Sequence, residues 1–260
     1  MKRNQLIRNI VPPVALAILV GTVWQVGVQV FQVEKFLLPS PVEVLRAMSD
    51  NAAEFASAAR FTLTAALCGL VLSTAAGIAV AIVFSQSSII RRSSYPYAIY
   101  LQTAPIVAIA PILAVWIGEG FMAIVVVVFI ISLFPVITNS TDGLMAIPAD
   151  LRDLFRLNRA TRWQTLTQLQ IPQALPRILT GIKISSAMVV LGATVGEYFV
   201  GSFSVKDTGM GHVIFKAGPN LQTDKLFAAT IVCTILSVLI FYSVSAIGHY
   251  LIRWENTDED

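Results

Sequence analysis

Few side chains in this sequence can do chemistry where the chain is apolar: Glu197, Lys183, His212, His249, Cys68 and Cys233. A charged group at bilayer depth is costly and faces a cavity, a partner or water. Glu197 stands near the outer end of an apolar stretch. There it would either line or gate an aqueous pathway, or sit within reach of headgroup water. Lys183 lies toward the opposite end of the same stretch, so the two cannot form one acid–base site, and its ammonium suits snorkelling to phosphate. Two isolated histidines and two thiols in apolar runs make no Cys/His pattern with metal-ligand spacing. No catalytic residue and no metal site is therefore expected. Gln102, Thr103 and Asn139 are the other polar candidates, each suited to a pathway lining or to helix-to-helix hydrogen bonding. No Gly-x-x-x-x-Gly-Lys-Ser/Thr string occurs, so the chain does not cradle nucleotide phosphates in the usual way and binds no cofactor of that kind.

The elements that must position these residues are long apolar helices. Of 260 residues, 56 % are hydrophobic and 13 % charged, where a soluble domain carries about 25 % charged residues; mean hydropathy is +0.74. A crossing helix needs about 20 apolar residues. Six stretches qualify, at about 11–31, 61–84, 99–117, 122–138, 178–200 and 226–252. They predict an all-α, polytopic membrane bundle forming one transmembrane domain over 1–260. The first stretch is too long for a signal core and ends at Gln32-Val33-Glu34 without a small-x-small cleavage pattern, so it reads as an uncleaved anchor. The third contains Pro105 and Pro111, whose freed backbone groups need neighbouring helices or a wet cavity. It meets the fourth through a tight Gly118-Glu119-Gly120 hairpin. Gly192, Gly196 and Gly201 favour close packing or bending of the fifth.

Arginine and lysine concentrate on the side of the amino terminus, with Lys2, Arg3, Arg8, Arg91, Arg92, Arg152, Arg156, Arg159, Arg162, Arg177 and Arg253 against Lys35, Arg46, Arg60, Lys206, Lys216 and Lys225. That bias predicts both termini in the cytoplasm. Net charge is only +3, which calls for no nucleic-acid partner. Outside the membrane, Ser40-Pro41-Val42-Glu43 has the form of a capping box with proline at the first helical position. It opens a short amphipathic helix. Inside, the stretch 140–177 is the one large loop. Pro148 starts a helix there, with Leu151, Leu154, Leu157 and Asn158 on one side, Phe155 at its edge, and Arg152, Arg156 and Arg159 opposite. Such a helix rests on anionic lipid or docks a cytoplasmic partner, and its geometry leaves both open.

The loop's sequence is more informative. Asp153-Leu154-Phe155, three residues, Arg159, nine residues and Leu169-Gln170-Ile171-Pro172 keep the spacing of the cytoplasmic signature of ATP-binding-cassette importer permeases: Glu-Ala-Ala, Gly, Ile-x-Leu-Pro. Ala160-Thr161-Arg162-Trp163-Gln164 and Thr180-Gly181-Ile182-Lys183-Ile184 also look familial. So do Leu38-Pro39-Ser40-Pro41, Gln102-Thr103-Ala104-Pro105 and the pair Gly196-Glu197-Tyr198 and Gly209-Met210-Gly211. The chain thus resembles a type I importer permease of the nitrate, sulfonate, taurine, pyrimidine-precursor and riboflavin branch, over nearly its whole length.

The resemblance implies a pathway built with a second permease chain, most simply a homodimer, in the lipid of a bacterial inner membrane. Two ATPase subunits would use ATP and Mg, and an external binding protein would deliver a small solute. Asp153, Leu154, Phe155, Arg156, Arg159 and Ala160 would couple to the ATPase, with Phe155 seated deepest in its groove. Two departures stand out. Arg159 replaces the family glycine at a turn where positive φ is cheap for glycine and costs another residue about 1 kcal/mol. Leu154-Phe155 is bulkier than Ala-Ala. Either the turn becomes continuous helix or the docking groove is unusual, which suggests an ATPase dedicated to this permease. A channel or a membrane-embedded enzyme would need no such signature.

Overall fold

The computed structural model describes residues 2–200 and 208–252, the side chains of 2–10 and of Leu101 excepted. Gly201, Lys206 and Arg253 lie outside the described residues. Every regular element among the described residues is helical: α1 (Lys2–Val30), α2 (Pro41–Asp50), α3 (Ala52–Gln86), α4 (Ser88–Thr103), α5 (Ile106–Ile117), α6 (Phe121–Met145), α7 (Ala149–Leu157), α8 (Arg162–Thr165), α9 (Ile171–Val200), α10 (Met210–Ala217) and α11 (Thr223–Leu251). A five-residue π-turn, Leu166–Gln170, joins α8 to α9, so helical backbone runs without a break from Arg162 to Val200. Among the described residues, five helical stretches are long and apolar enough to cross a membrane: Val11–Val30, Ala52–Gln86, Phe121–Met145, Arg162–Val200 and Thr223–Leu251.

Two expectations need correction. The third stretch, 99–117, is not one helix. Ala104 and Pro105 are extended, with ψ of 131° and 109°, because a residue before proline is pushed out of the helical region and proline donates no hydrogen bond. Helix resumes beyond this break only as the 12-residue α5. The inner loop, expected over 140–177, is also much shorter. Helix α6 continues to Met145 and helix resumes at Arg162. Hydropathy marks where a helix meets lipid, and backbone hydrogen bonding has no reason to stop at that boundary. The 39 residues from Arg162 to Val200 extend roughly 58 Å at 1.5 Å per residue, against about 30 Å of hydrocarbon.

The centre of the bundle is α6, packed between α3 and α9. Helices in lipid gain little from the hydrophobic effect against one another, so close approach through small residues does the work. A side chain on Gly69 would meet Val128, and one on Gly77 would come within 2.7 Å of Val136 Cγ1. Gly181, Gly192 and Gly196 of α9 face Pro135, Val128 and Ile124 of α6 in reverse order. Thus α3 runs parallel to α6, and α9 antiparallel. Midway, Ser132 Oγ donates to the Val128 carbonyl at 2.6 Å and shares a 2.9 Å hydroxyl–hydroxyl contact with Ser73 Oγ, while Ser185 Oγ donates to the Ser132 carbonyl at 2.6 Å. All three serines are fully buried, so the three helices share one polar ladder.

At one end, α2, α3, α10 and α11 form a second apolar cluster around Val44, Phe55, Met210, Val213 and Ala228. The capping box reads as expected there: Glu43 Oε2 accepts from the Ser40 amide at 2.8 Å, and Ser40 Oγ accepts from the Glu43 amide. The Ser40 amide holds the Glu43 carboxyl below its ordinary pKa. Thr223 Oγ1 donates to the Phe36 carbonyl at 2.7 Å, Lys35 pairs with Asp224 at 3.0 Å, and Lys225 pairs with Glu54 at 2.7 Å. At the other end, Ala81, Leu144, Leu166, Ala174 and Ile178 close the bundle. Helix α1 lies at the periphery, touching α2 through Gln25 and α11 through a Trp24–Phe227 ring contact of 5.6 Å.

The small-residue seam makes a direct prediction. Gly77→Ala should destabilise the folded protein by about 1–3 kcal/mol, because Val136 must shift inside a packed helix pair. Gly21→Ala, with open space around it, should be neutral or mildly stabilising. The midpoint of thermal unfolding in detergent checks both.

Candidate functional site

The residues expected from the sequence to couple to an ATPase, Asp153 to Arg156, Arg159 and Ala160, lie on α7 and the turn after it. Pro148 precedes the helix and Asp150 stands in its first turn, where a negative charge is favourable. Leu154, Leu157 and, beyond the turn, Trp163 are exposed at 51 %, 82 % and 71 %. Phe155 is only half-buried. It borders two grooves, one shared with Gln86, Ile147, Arg152, Thr165 and Gln170, the other with Leu154, Asn158, Gln164 and Gln168. It therefore leans back toward α8 and the π-turn, while Leu157 projects furthest. Asp153 and Arg156 pair at 3.6 Å with both side chains largely in solvent, a geometry that adds little stability and leaves both free to exchange partners.

Arg159 keeps the turn that the sequence put in doubt. Its φ is 50°. Its amide donates to the Arg156 carbonyl at 2.9 Å, and the Ala160 amide donates to the Phe155 carbonyl at 3.0 Å. These two bonds are the Schellman pattern, with Arg159 in the left-handed position usually held by glycine. The continuous-helix alternative is thus overturned. The bonds satisfy the last carbonyls of α7, and Thr161 opens α8 through a capping box with Gln164, with bonds of 2.8 and 3.2 Å. Gln32 and Leu221 hold φ of 47° and 54° after α1 and α10 in the same manner.

At the far end of α9, Glu197 is 2 % exposed. Its Oε2 accepts from Thr62 Oγ1 of α3 at 3.0 Å and from the Gly211 amide at 2.8 Å, and Thr62 Oγ1 in turn accepts from the Met210 amide at 2.9 Å. Acceptors from α3 and α9 thus receive the free amides at the start of α10, where the helix dipole also favours negative charge. Glu197 Oε1 has no partner among the described residues. A side chain on Gly209 would collide with this carboxyl, and one on Gly211 would come within 2.8 Å of Glu197 Cβ. The strings Gly196-Glu197-Tyr198 and Gly209-Met210-Gly211 are therefore two halves of one clamp. Thr62, 135 residues from Glu197, carried no signal in the sequence, since a threonine in an apolar run reads only as part of a span. His212, one turn into α10, has its pKa pushed down by burial and then by Lys216.

The other polar candidates are not drawn to Glu197. Gln102 and Thr103 are exposed at the end of α4, with Thr103 Oγ1 donating to the Tyr100 carbonyl at 2.9 Å. Asn139 is half-buried on α6 and its amide donates to the Pro135 carbonyl at 2.8 Å, where Gly181 of α9 approaches. Lys183 lies 5.0 Å over the Phe241 ring, a cation–π contact.

Parallel and antiparallel apolar helices knit by small residues, with a basic amphipathic helix beyond one end, make a polytopic membrane protein. Residues 73–255 match the family described as the binding-protein-dependent transport system inner membrane component, and the chain belongs to that family. It is similar to the formylaminopyrimidine transport permease protein ThiX of Halalkalibacterium halodurans, 27 % identical over 243 residues, or 93 % of this chain and 95 % of that protein. It is also similar to the riboflavin transport system permease protein RibX of Chloroflexus aurantiacus, 28 % identical over 94 % of this chain and 89 % of that protein. Among solved structures, an inward-facing MetNI methionine ABC transporter aligns with a TM-score of 0.65 at 18 % identity, over 75 % of this chain and 95 % of that one. A bacterial alginate ABC transporter in complex with an alginate pentasaccharide-bound periplasmic protein aligns with a TM-score of 0.63 at 15 % identity, over 96 % of each chain. The chain is a multi-pass inner-membrane permease subunit of an importer, not an enzyme.

The Arg159 turn supplies a local test. Arg159→Gly should slow amide exchange at Ala160. Arg159→Val, whose branched side chain fits positive φ worst, should quicken it, with about 1–2 kcal/mol between the two variants.

Proposed function

We propose that this chain supplies half of the translocation pathway of an ATP-driven importer and that α7 with the Arg159 turn is the surface its ATPase grips. The observation that carries the reading is an amphipathic helix whose apolar Leu154 and Leu157 are left exposed beside Arg152, Arg156 and Arg159, with the long helix that crosses the bundle starting just past the turn. A patch of that kind at the end of a transport subunit suits a protein partner. The partner ATPase binds ATP and Mg. Two copies of this chain, surrounded by lipid, form the pathway, and an external binding protein delivers the solute. Helices α4 and α5 together provide the sixth crossing, and both termini face the cytoplasm, a reading the arginine and lysine distribution supports. The relatives named for formylaminopyrimidine and riboflavin support a small heterocyclic solute of the pyrimidine-precursor or riboflavin kind; sulfonate, taurine and nitrate permeases are also among its relatives. Asp153 to Ala160 pass the closure of the ATPase dimer to α8 and α9. Gln102, Thr103 and Asn139 are the polar groups best placed to meet the pathway.

The test is association. Leu157→Asp and Phe155→Asp each put a charge on the docking face and should reduce recovery of the ATPase with the purified permease by about tenfold or more. Asn220→Asp, on an exposed turn at the opposite end, should leave recovery unchanged. Full recovery with both docking-face variants would overturn the assignment.

A further inference from the structure

Glu197 and Arg159 stand at the two ends of one helical rod. The rod begins at Arg162, two residues after Ala160, and ends at Val200, three residues after Glu197. At its outer end Glu197 joins three elements: its own helix α9, Thr62 of α3, and the amide end of α10. Helix α10 in turn places Met210 and Val213, both almost fully buried, in the cluster with Val44 and Ala47 of α2 and Ala228 of α11. The short surface helices at that end are therefore tied to the rod through α10, and the clamp's hydrogen bonds run through Glu197 and Thr62. Burying a carboxyl is costly unless it is hydrogen-bonded. An apolar residue would fill the volume but leave the Gly211 amide without its acceptor, so the acid is what holds the start of α10 to α9.

We propose that Glu197 is a positioning residue for transport: it clamps α10 to the α3–α9 pair, so that a partner docking at the outer face moves the rod and, through it, the turn at Arg159. This rests on the reading of the chain as an importer permease and adds the route by which its two faces communicate. A coupling route needs an element with two arrangements. In this proposal the clamp is that element: it is closed here, with Glu197 holding the Gly211 amide, and its second arrangement is the one in which that amide leaves the carboxyl. Glu197 acts here through α10 and makes no contact with solute.

The experiment uses the permease purified with its ATPase in lipid nanodiscs, and reads ATP hydrolysis with and without the purified binding protein. For Glu197→Ala and Thr62→Val, the ratio of stimulated to unstimulated rate should fall about tenfold, with ATPase recovery retained and amide exchange faster over Met210–Val213. Thr62→Ser, which keeps the hydroxyl, should restore the ratio. Ile240→Ala, a buried truncation on α11 rather than on a seam helix or in the clamp, should lower thermal stability yet leave the ratio intact, which separates coupling from folding. An unchanged ratio in Glu197→Ala and Thr62→Val overturns the proposal, as does an equal loss in Ile240→Ala. Absence of stimulation in the unaltered complex would sink the importer reading itself.

Discussion

The close approach of α6 to α3 on one side and to α9 on the other is the constraint on which the rest depends. In lipid an apolar surface has no special reason to meet another, so contact must come from shape and from buried hydrogen bonds. Glycines on α3 and α9 let the backbones meet α6, and the Ser73–Ser132–Ser185 ladder sets their register. Once that register is fixed, Thr62 and Glu197 arrive side by side at one end, and Leu144, Leu166 and Ala174 at the other. The clamp and the base of the docking turn are consequences of one three-helix seam.

That seam also explains the long helix Arg162–Val200. A rod held along its length by α6 transmits displacement between its ends better than separate elements would. The π-turn at Leu166–Gln170 is the irregular point in it, and it lies against the inner apolar cluster with Leu166 and Leu169 buried. Gln170 is tied to Gln86 of α3 by a side-chain bond of 3.0 Å. The turn after α7 is held by backbone hydrogen bonds rather than by glycine, so Arg159 keeps a left-handed turn while adding a positive charge to the proposed docking face.

Much of this was legible in the residues. Apolar runs located the long helices, Ser40 and Glu43 announced their capping box, and Gly118-Glu119-Gly120 marked the α5–α6 corner, where both glycines have positive φ. Helix ends were less legible, because hydropathy reports lipid and not backbone hydrogen bonding; α6 and α9 therefore run well beyond their apolar cores. The break at Ala104–Pro105 was foreshadowed by proline but not its depth, since a helix can also absorb proline, as α6 does at Pro135 and α9 at Pro176. The Thr62–Glu197 pairing depends on how α3 and α9 pack, and nothing local to either residue records it.

The central claim is that the stretch around Leu157 faces the cytoplasm and lies against an ATPase. A photoactivatable cross-linker carried on Leu157→Cys, in a variant whose Cys68 and Cys233 are replaced by serine, tests it in inner-membrane vesicles. The account predicts an adduct with the ATPase subunit and, in the same variant before the cross-linker is attached, protection of the thiol from membrane-impermeant reagents applied to the periplasmic side. Labelling of that thiol from the periplasm, or adducts with lipid alone, would contradict it.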